Sequence, residues 1–383
     1  EKGENNFKGG FPWGGISGDT KNGIVYLTTG NPKPNFVGTS RPGKNLFANS
    51  LIAFDVRNKK KLWHFQETCH DLWNLDIPSP PILTTIEKYN KRIDVVIAVT
   101  KLGNTLILDR YTGENIFDYD MRLAPTSKLP GETTCKYQPS LKLPEPFAKN
   151  IFKKEDISNL SKSSYKHILS IVKNSNYGFF VPYEEGKNTI QYGDNGGAQW
   201  TGASVDPYKN ILFVTSNNIP WIVGVKVKAN KNRKGSIYTD KRAKPLRDLE
   251  GYPGTKPPWG TLTAINLNTG KILWQSPLGH YEKLKSKGII TGTENFGGAT
   301  ATSGGLVFAA GTLDKLIRAF DSETGEEMWN HKLPYIGSAP PTSYEINGEQ
   351  YIVLPASGGI ILKMFYGDLV EQGDAVVAFK IKK

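Results

Sequence analysis

Cysteine is scarce. The 383 residues hold two, Cys69 and Cys135, far apart in sequence. That excludes a disulfide framework and a CxxC metal site; two buried thiols are the first expectation, a single bridge the second. Histidine is scarce too, with five residues at 64, 70, 167, 280 and 331 and no HExxH or His-x-His spacing, so no zinc site is expected. No run of 18 apolar residues occurs, which excludes a membrane-spanning helix. Negative charge is in deficit: 48 Lys and Arg against 36 Asp and Glu leave a net charge of +12. The excess is mostly Lys, scattered through loop-like stretches such as 226–235 and 153–167 without an aromatic-interleaved basic motif. It reads as solvated surface, with no nucleic-acid partner. The sequence opens at Glu1 with neither an initiator Met nor a signal peptide, as a processed chain or a fragment does, and this leaves the compartment open.

What the chain has in plenty is turn and sheet residues: Gly 40, Tyr 17, Trp 8. A repeat organises them. "LIAFDVRNKKKLWHF" (51–65), "LTAINLNTGKILWQS" (262–276) and "IRAFDSETGEEMWNH" (317–331) share one pattern, apolar-x-Ala-apolar-Asp/Asn, a turn often carrying Thr-Gly, then Trp. "TLILDRYTGENIFDY" (105–119) is a weaker copy with Phe117 at the Trp place, and "DAVVAFKI" (374–381) is a half copy. Each reads as strand, tight turn, returning strand. Second hairpins precede them at 15–31, 202–218 and 298–312. Two hairpins make a four-stranded sheet that cannot bury both faces alone, and stacking such sheets around an axis gives an all-β propeller. Trp274 and Trp329 lie 55 positions apart, one blade. The expectation is one partial propeller domain over 1–383, with about four to five blades and loop insertions near 120–195 and 222–256. The repeated Trp residues read as packing between blades.

One stretch stands outside the repeat. In "HFQETCHDLWNLDIP" (64–78), Asp71 and Asp76 flank a Trp and an Asn. Taken alone this is either a polar turn or a catalytic loop.

Together with "WGGISGDTKNGIVYLTTGNPKP" (13–34), "RPGKNLFANSLIAFD" (41–55), "TKLGNTLILDRYTG" (100–113), "PPWGTLTAINLNTG" (257–270) and "GTENFGGATATSGGLVFAAGTLDKLIRAFDSETGE" (292–326), it resembles the pyrroloquinoline quinone (PQQ) dependent alcohol and sugar dehydrogenases, the glucose branch above all. The resemblance covers essentially the whole chain. It implies an eight-bladed propeller, here short of its N-terminal blades, with PQQ and Ca²⁺ near the axis. The implied reaction is oxidation of a sugar or other alcohol in the periplasm, with electrons passed to a quinone pool or cytochrome. A membrane tether would belong to the part preceding Glu1.

Residue by residue, Trp13 matches the indole floor under the quinone, which gives a flat cofactor its stacking surface. Asn31 matches an amide ligand of the cation. Lys101 matches the ammonium that stabilises charge developing on the quinone. The family motif His-Asp-x-Trp-Asp ends on the base that removes the hydroxyl proton and lies beside the cation; here it reads His70-Asp71-Leu72-Trp73-Asn74. An amide ligates a cation but takes up no proton at useful pH. Three readings follow: Asp76 or Asp71 acts as base, another residue does, or catalysis is lost and the chain is a binding or assembly scaffold. Asp71 and Trp73 read as supports of the loop. Asn217, Trp259 and the pair Glu294-Asn295 stand in loop positions that could face the cofactor. Ile360 follows Gly359 where the sugar branch often has His, which leaves the substrate pocket open.

Overall fold

The computed structural model describes residues 8–229 and 236–381, so the end of the Lys-rich stretch 226–235 lies outside the described residues. The chain forms two compact units: one assembled from residues up to Leu83, Val95–Gly197 and Ile219–Lys256, the other from Thr84–Asp94, Ala198–Asn218 and the chain from Pro257 on. No helix among the described residues is long and apolar enough to cross a membrane.

The first unit opens with a four-stranded antiparallel sheet, Ile16–Asp19, Ile24–Thr28, Ser50–Asp55 and Lys60–Gln66, each strand paired to the next in sequence. A meander follows along the chain, Ile82–Lys88, Lys91–Val99 and Thr105–Asp109, of which Thr84–Asp94 belongs to the second unit. Ile24, Leu51, Ala53 and Trp63 of the sheet share one buried cluster with Val96, Ala98, Leu106 and Leu108 of the meander. Each sheet thus supplies the apolar cover that its neighbour needs. The second unit repeats the plan. Ala203–Asp206, Ile211–Asn217, Gly260–Asn266 and Ile272–Pro277 form one sheet; Ala299–Ala301, Leu306–Ala309, Leu316–Asp321 and Glu327–Lys332 form the next. Thr342–Ile346, Glu349–Ala356 and Ala375–Lys380 make a three-stranded sheet. These are β-propeller blades, five among the described residues.

The repeated residues have repeated jobs. Ala53 faces Trp63 across its strand pair, Ala264 faces Trp274, and Ala319 faces Trp329; in all three sheets the register slips immediately after the Ala. A small residue opposite the largest one makes room for the indole. The Trp63 indole N–H donates to Arg110 O at 3.2 Å and Trp274 to Ser322 O at 3.1 Å, in each case the residue after the Asp that opens an Asp-x-x-Thr-Gly turn. Asp109 and Asp321 cap those turns by accepting two backbone N–H groups each. Gly113 and Gly325 sit at positive φ, and a Cβ on either would stand 2.5 Å from the indole. Only glycine fits there.

The stretches expected as insertions carry structure of their own. Tyr119–Leu123 and Tyr137–Leu141 form a hairpin, and Ser175–Tyr177, Asn188–Gln191, Trp221–Ala229 and Ser236–Pro245 form a four-stranded sheet whose first pair is parallel. Helix Lys162–Lys173 starts at Ser161, whose hydroxyl accepts the Ser164 N–H, and buries Ser164, Ile168 and Val172 at intervals of four. Lys153, Lys154, Lys162 and Lys166 are exposed, in keeping with a solvated basic face.

The two cysteines do not remain thiols. Cys69 and Cys135 form a disulfide with Cα atoms 6.0 Å apart, a correction to the first expectation. Long-range contacts invisible in sequence bring them together: the Gln138 side chain accepts from Cys69 N and donates to Cys69 O, and buried His70 meets Glu132 at 3.2 Å.

Candidate active site

The loop after strand Lys60–Gln66 is shaped by a buried carboxylate. Asp71 accepts the Trp73 and Leu75 N–H groups at 2.7 Å each and the Asn49 side chain at 2.9 Å, while the buried Arg41 guanidinium donates to its carbonyl at 2.6 Å. Burial pushes the Asp71 carboxyl up, against these donors. Trp73 packs edge-on against Phe180 and donates to Val181 O at 2.9 Å, so it anchors the loop from below. Asn74, held between Trp73 and Leu75, takes φ +63°.

Asp76, two residues on, is where the separate motifs meet. Its Oδ2 accepts the Trp13 indole N–H at 3.0 Å and the Asn31 backbone N–H at 3.2 Å; its Oδ1 accepts the Lys101 ammonium at 2.9 Å. Trp13, Asn31 and Lys101, chosen 18 and 70 positions apart in sequence, are thus joined by one buried carboxylate. Burial alone would raise the Asp76 carboxyl, but the Lys101 charge and the three donors hold it below the usual carboxylate range. Lys101 also donates to Asn74 O at 2.9 Å. Gly30 lies under the junction: a Cβ there would stand 2.8 Å from Asp76 Oδ2 and 2.9 Å from the indole nitrogen. The Trp13 side chain is tethered at its N–H yet remains 50% exposed, which leaves a flat apolar surface open.

Asn74 makes two further contacts. Its Nδ2 donates to Asp194 Oδ1 at 3.0 Å, and its Oδ1 accepts from Asn35 Nδ2 at 3.3 Å. Asp194 rides on a glycine turn in which Gly193 and Gly196 have positive φ and Gly197 N donates to Lys101 O at 2.7 Å. Burial raises its carboxyl to about 6, with Lys101 and Asn74 acting in the opposite direction. On the other side, the Asn31 amide donates to Asn35 Oδ1 at 2.6 Å, and the Lys33 ammonium bonds Asn31 Oδ1 at 3.1 Å and Asn35 Oδ1 at 2.6 Å. Sequence reading missed Asp194, Lys33 and Asn35. The signal for Asp194 was "GDNGG" (193–197), hidden inside a supposed insertion; Lys33 and Asn35 stood beside Asn31 in "TGNPKPN".

Asn217, Trp259 and Asn295 fall in the second unit. Asn217 and Asn295 exchange backbone and side-chain hydrogen bonds, and Asn295 also donates to Ser216 O. Trp259 is fully buried, edge-on to Tyr281, whose hydroxyl donates to Glu294. Asn295 Oδ1, by contrast, is buried with no hydrogen-bond partner among the described residues.

A family model described as the PQQ-binding glucose/ethanol/alcohol dehydrogenase β-propeller domain matches residues 1–352. The chain belongs to the PQQ-dependent dehydrogenase family. Among its relatives, the glycerol dehydrogenase large subunit of Gluconobacter oxydans (strain 621H) is 31% identical over 93% of this chain and 53% of its own length. Quinoprotein glucose dehydrogenase A of Acinetobacter calcoaceticus is 28% identical over 96% of this chain and 49% of its own. The chain therefore spans about half the length of these curated relatives. In fold it is similar to the quinohemoprotein alcohol dehydrogenase of Comamonas testosteroni, with TM-score 0.64 at 20% identity over 97% of this chain and 48% of that one.

The residues present fit a PQQ site: a tethered, half-exposed indole with an ammonium fixed through the same carboxylate. They also attract a cation, because the amide oxygens of Asn31 and Asn35 already converge on one, the Lys33 ammonium. Among the described residues no group of three or more His, Cys, Asp or Glu side chains surrounds a metal position, so any ion here would rely on amide oxygens and Asp194.

Proposed function

We propose that the full protein, of which this chain supplies about half, oxidises a hydroxyl of a sugar or polyol with PQQ and passes the electrons to a quinone or cytochrome. PQQ held by Trp13 and Lys101 would supply the hydride acceptor. Trp13 gives the ring a flat apolar floor, and Asp76 fixes that floor and Lys101 in one frame. Lys101 holds positive charge where negative charge develops. Asn31 and Asn74 offer the hard amide oxygens that Ca²⁺ takes, and Asp194 offers a carboxylate beside them.

Asp76 serves as an anchor in this reading, since all three of its donors would have to let go before it could act as a base. Asp194 holds the substrate proton in place of Asn74, which cannot. The observation that carries the proposal is the junction of Trp13, Asn31 and Lys101 on Asp76. Asn74 is the one feature that favours a non-catalytic scaffold, and the carboxylate bonded to it weighs against that. We assign the protein to the periplasm, a compartment in which a Cys69–Cys135 disulfide persists.

The full-length protein, incubated with PQQ and Ca²⁺, is expected to take up PQQ by absorbance and to reduce a dye with glycerol or an aldose. Asp194→Asn is expected to keep PQQ uptake and lose about 10²–10⁴ in rate. Absence of PQQ uptake would exclude the enzyme; uptake without oxidation of any polyol, sugar or simple alcohol would favour the scaffold.

A further inference from the structure

Lys33 does not behave as a free surface lysine. Its short strand, Pro32–Lys33, pairs with Lys8–Gly9, and Gly9 lies so close that a Cβ on it would stand 3.0 Å from Lys33 Cγ and 2.6 Å from Asn31 O. The absence of a side chain at Gly9 lets the lysine stem lie back over the turn. Its ammonium then sits on the two amide oxygens, Asn31 Oδ1 at 3.1 Å and Asn35 Oδ1 at 2.6 Å. Asn31 is itself buried, and its Nδ2 is committed to Asn35, which fixes the direction of its oxygen. Asp76, Asp71 and Asp194 attract the ammonium and Lys101 repels it.

We infer that Lys33 is an internal cation: it holds the metal position of this site, and a divalent ion enters only by displacing it from Asn31. The inference rests on the cation reading made above and gives it an order of events. Ca²⁺ takes six to eight oxygens at about 2.3–2.6 Å, so it cannot share Asn31 Oδ1 with an ammonium already bonded there. Two cations a few ångströms apart also repel. Withdrawal of Lys33 frees Asn31 Oδ1 and leaves Asn35 Oδ1 with the Asn31 amide as donor, and its return neutralises the acidic side of the site when no metal is present.

The test is metal binding, read without turnover. Full-length protein stripped with a chelator is titrated with Tb³⁺, following luminescence sensitised by nearby indole, and with Ca²⁺ in competition. Lys33→Met and Lys33→Gln are expected to bind at least about tenfold more tightly than wild type, and Lys33→Arg to stay as weak as wild type. Equal affinity across wild type, Met and Gln variants would overturn the inference and leave the cation site standing. No binding by any of them would overturn both. PQQ uptake, measured separately by absorbance, reports on the cofactor reading whatever the metal does.

Discussion

Glu67 shows how far a single residue can depart from its ordinary chemistry in this loop. It is fully buried; Oε1 accepts Thr100 and Asn104 side chains at 2.9 Å each, while Oε2 has no partner. Burial raises its carboxyl to about 7, and Thr100 and Asn104 pull it back only in part. A raised folded value for a carboxyl means that the folded state binds the proton more tightly than the unfolded one. Stability from this group is therefore full below its unfolded value, near 4.5, and is lost as pH rises to about 7. The span corresponds to on the order of 3 kcal/mol. Glu67→Gln keeps the shape without the charge, so it is expected to raise the melting temperature at pH 8 and leave it unchanged at pH 4. Equal melting curves of the two proteins at pH 8 would mean that Glu67 is not charged at a cost. Asp71 and Asp76, alike in sequence, differ in role: one accepts two backbone N–H groups and the Asn49 side chain and shapes the loop, the other accepts the Trp13 and Lys101 side chains and the Asn31 backbone N–H.

At the scale of elements, the unit of stability is a clasp between a Trp on one sheet and a turn on the next. Trp63 and Trp274 reach such turns; Trp329 is 39% exposed and leans on Phe379 and His331. Trp63→Ala is expected to cost about 3–5 kcal/mol and Trp329→Ala about 1–2 kcal/mol in denaturant unfolding. Equal losses would show that the turn contact adds nothing. The repeat that carries these clasps was legible in the sequence because strand alternation, the Asp-capped turn and the Trp fall within about fifteen residues, whereas the turn that each Trp reaches lies in the next repeat, 47 or 48 positions on. The sheet built from Ser175–Tyr177, Asn188–Gln191, Trp221–Ala229 and Ser236–Pro245 was not legible. Its first pair is parallel, its strands are separated by long connections, and it lacks the Ala-Asp-Trp signature.

At the scale of the molecule, net charge governs encounter. A chain of +12 draws anions toward it through a field that salt screens. In the dye-linked assay of the full-length protein, the kcat/KM for ferricyanide, an anionic acceptor, is expected to fall several-fold between about 10 and 150 mM salt. A neutral acceptor is expected to change little. If both respond alike, this charge does not guide the acceptor.

By itself the sequence determined the blade repeat, a short pattern in which neighbours along the chain dictate geometry, while Trp13, Asn31 and Lys101 stood out only through the family resemblance of the motifs that hold them. Only the tertiary structure decided that Asp76 binds those three together, that Asn74 donates to Asp194, 120 positions away, that Lys33 bonds the amide oxygens of Asn31 and Asn35, and that Cys69 meets Cys135. A carboxylate, an ammonium or a thiol owes its chemistry to burial and to partners, and those are supplied by segments that become neighbours only when the chain folds.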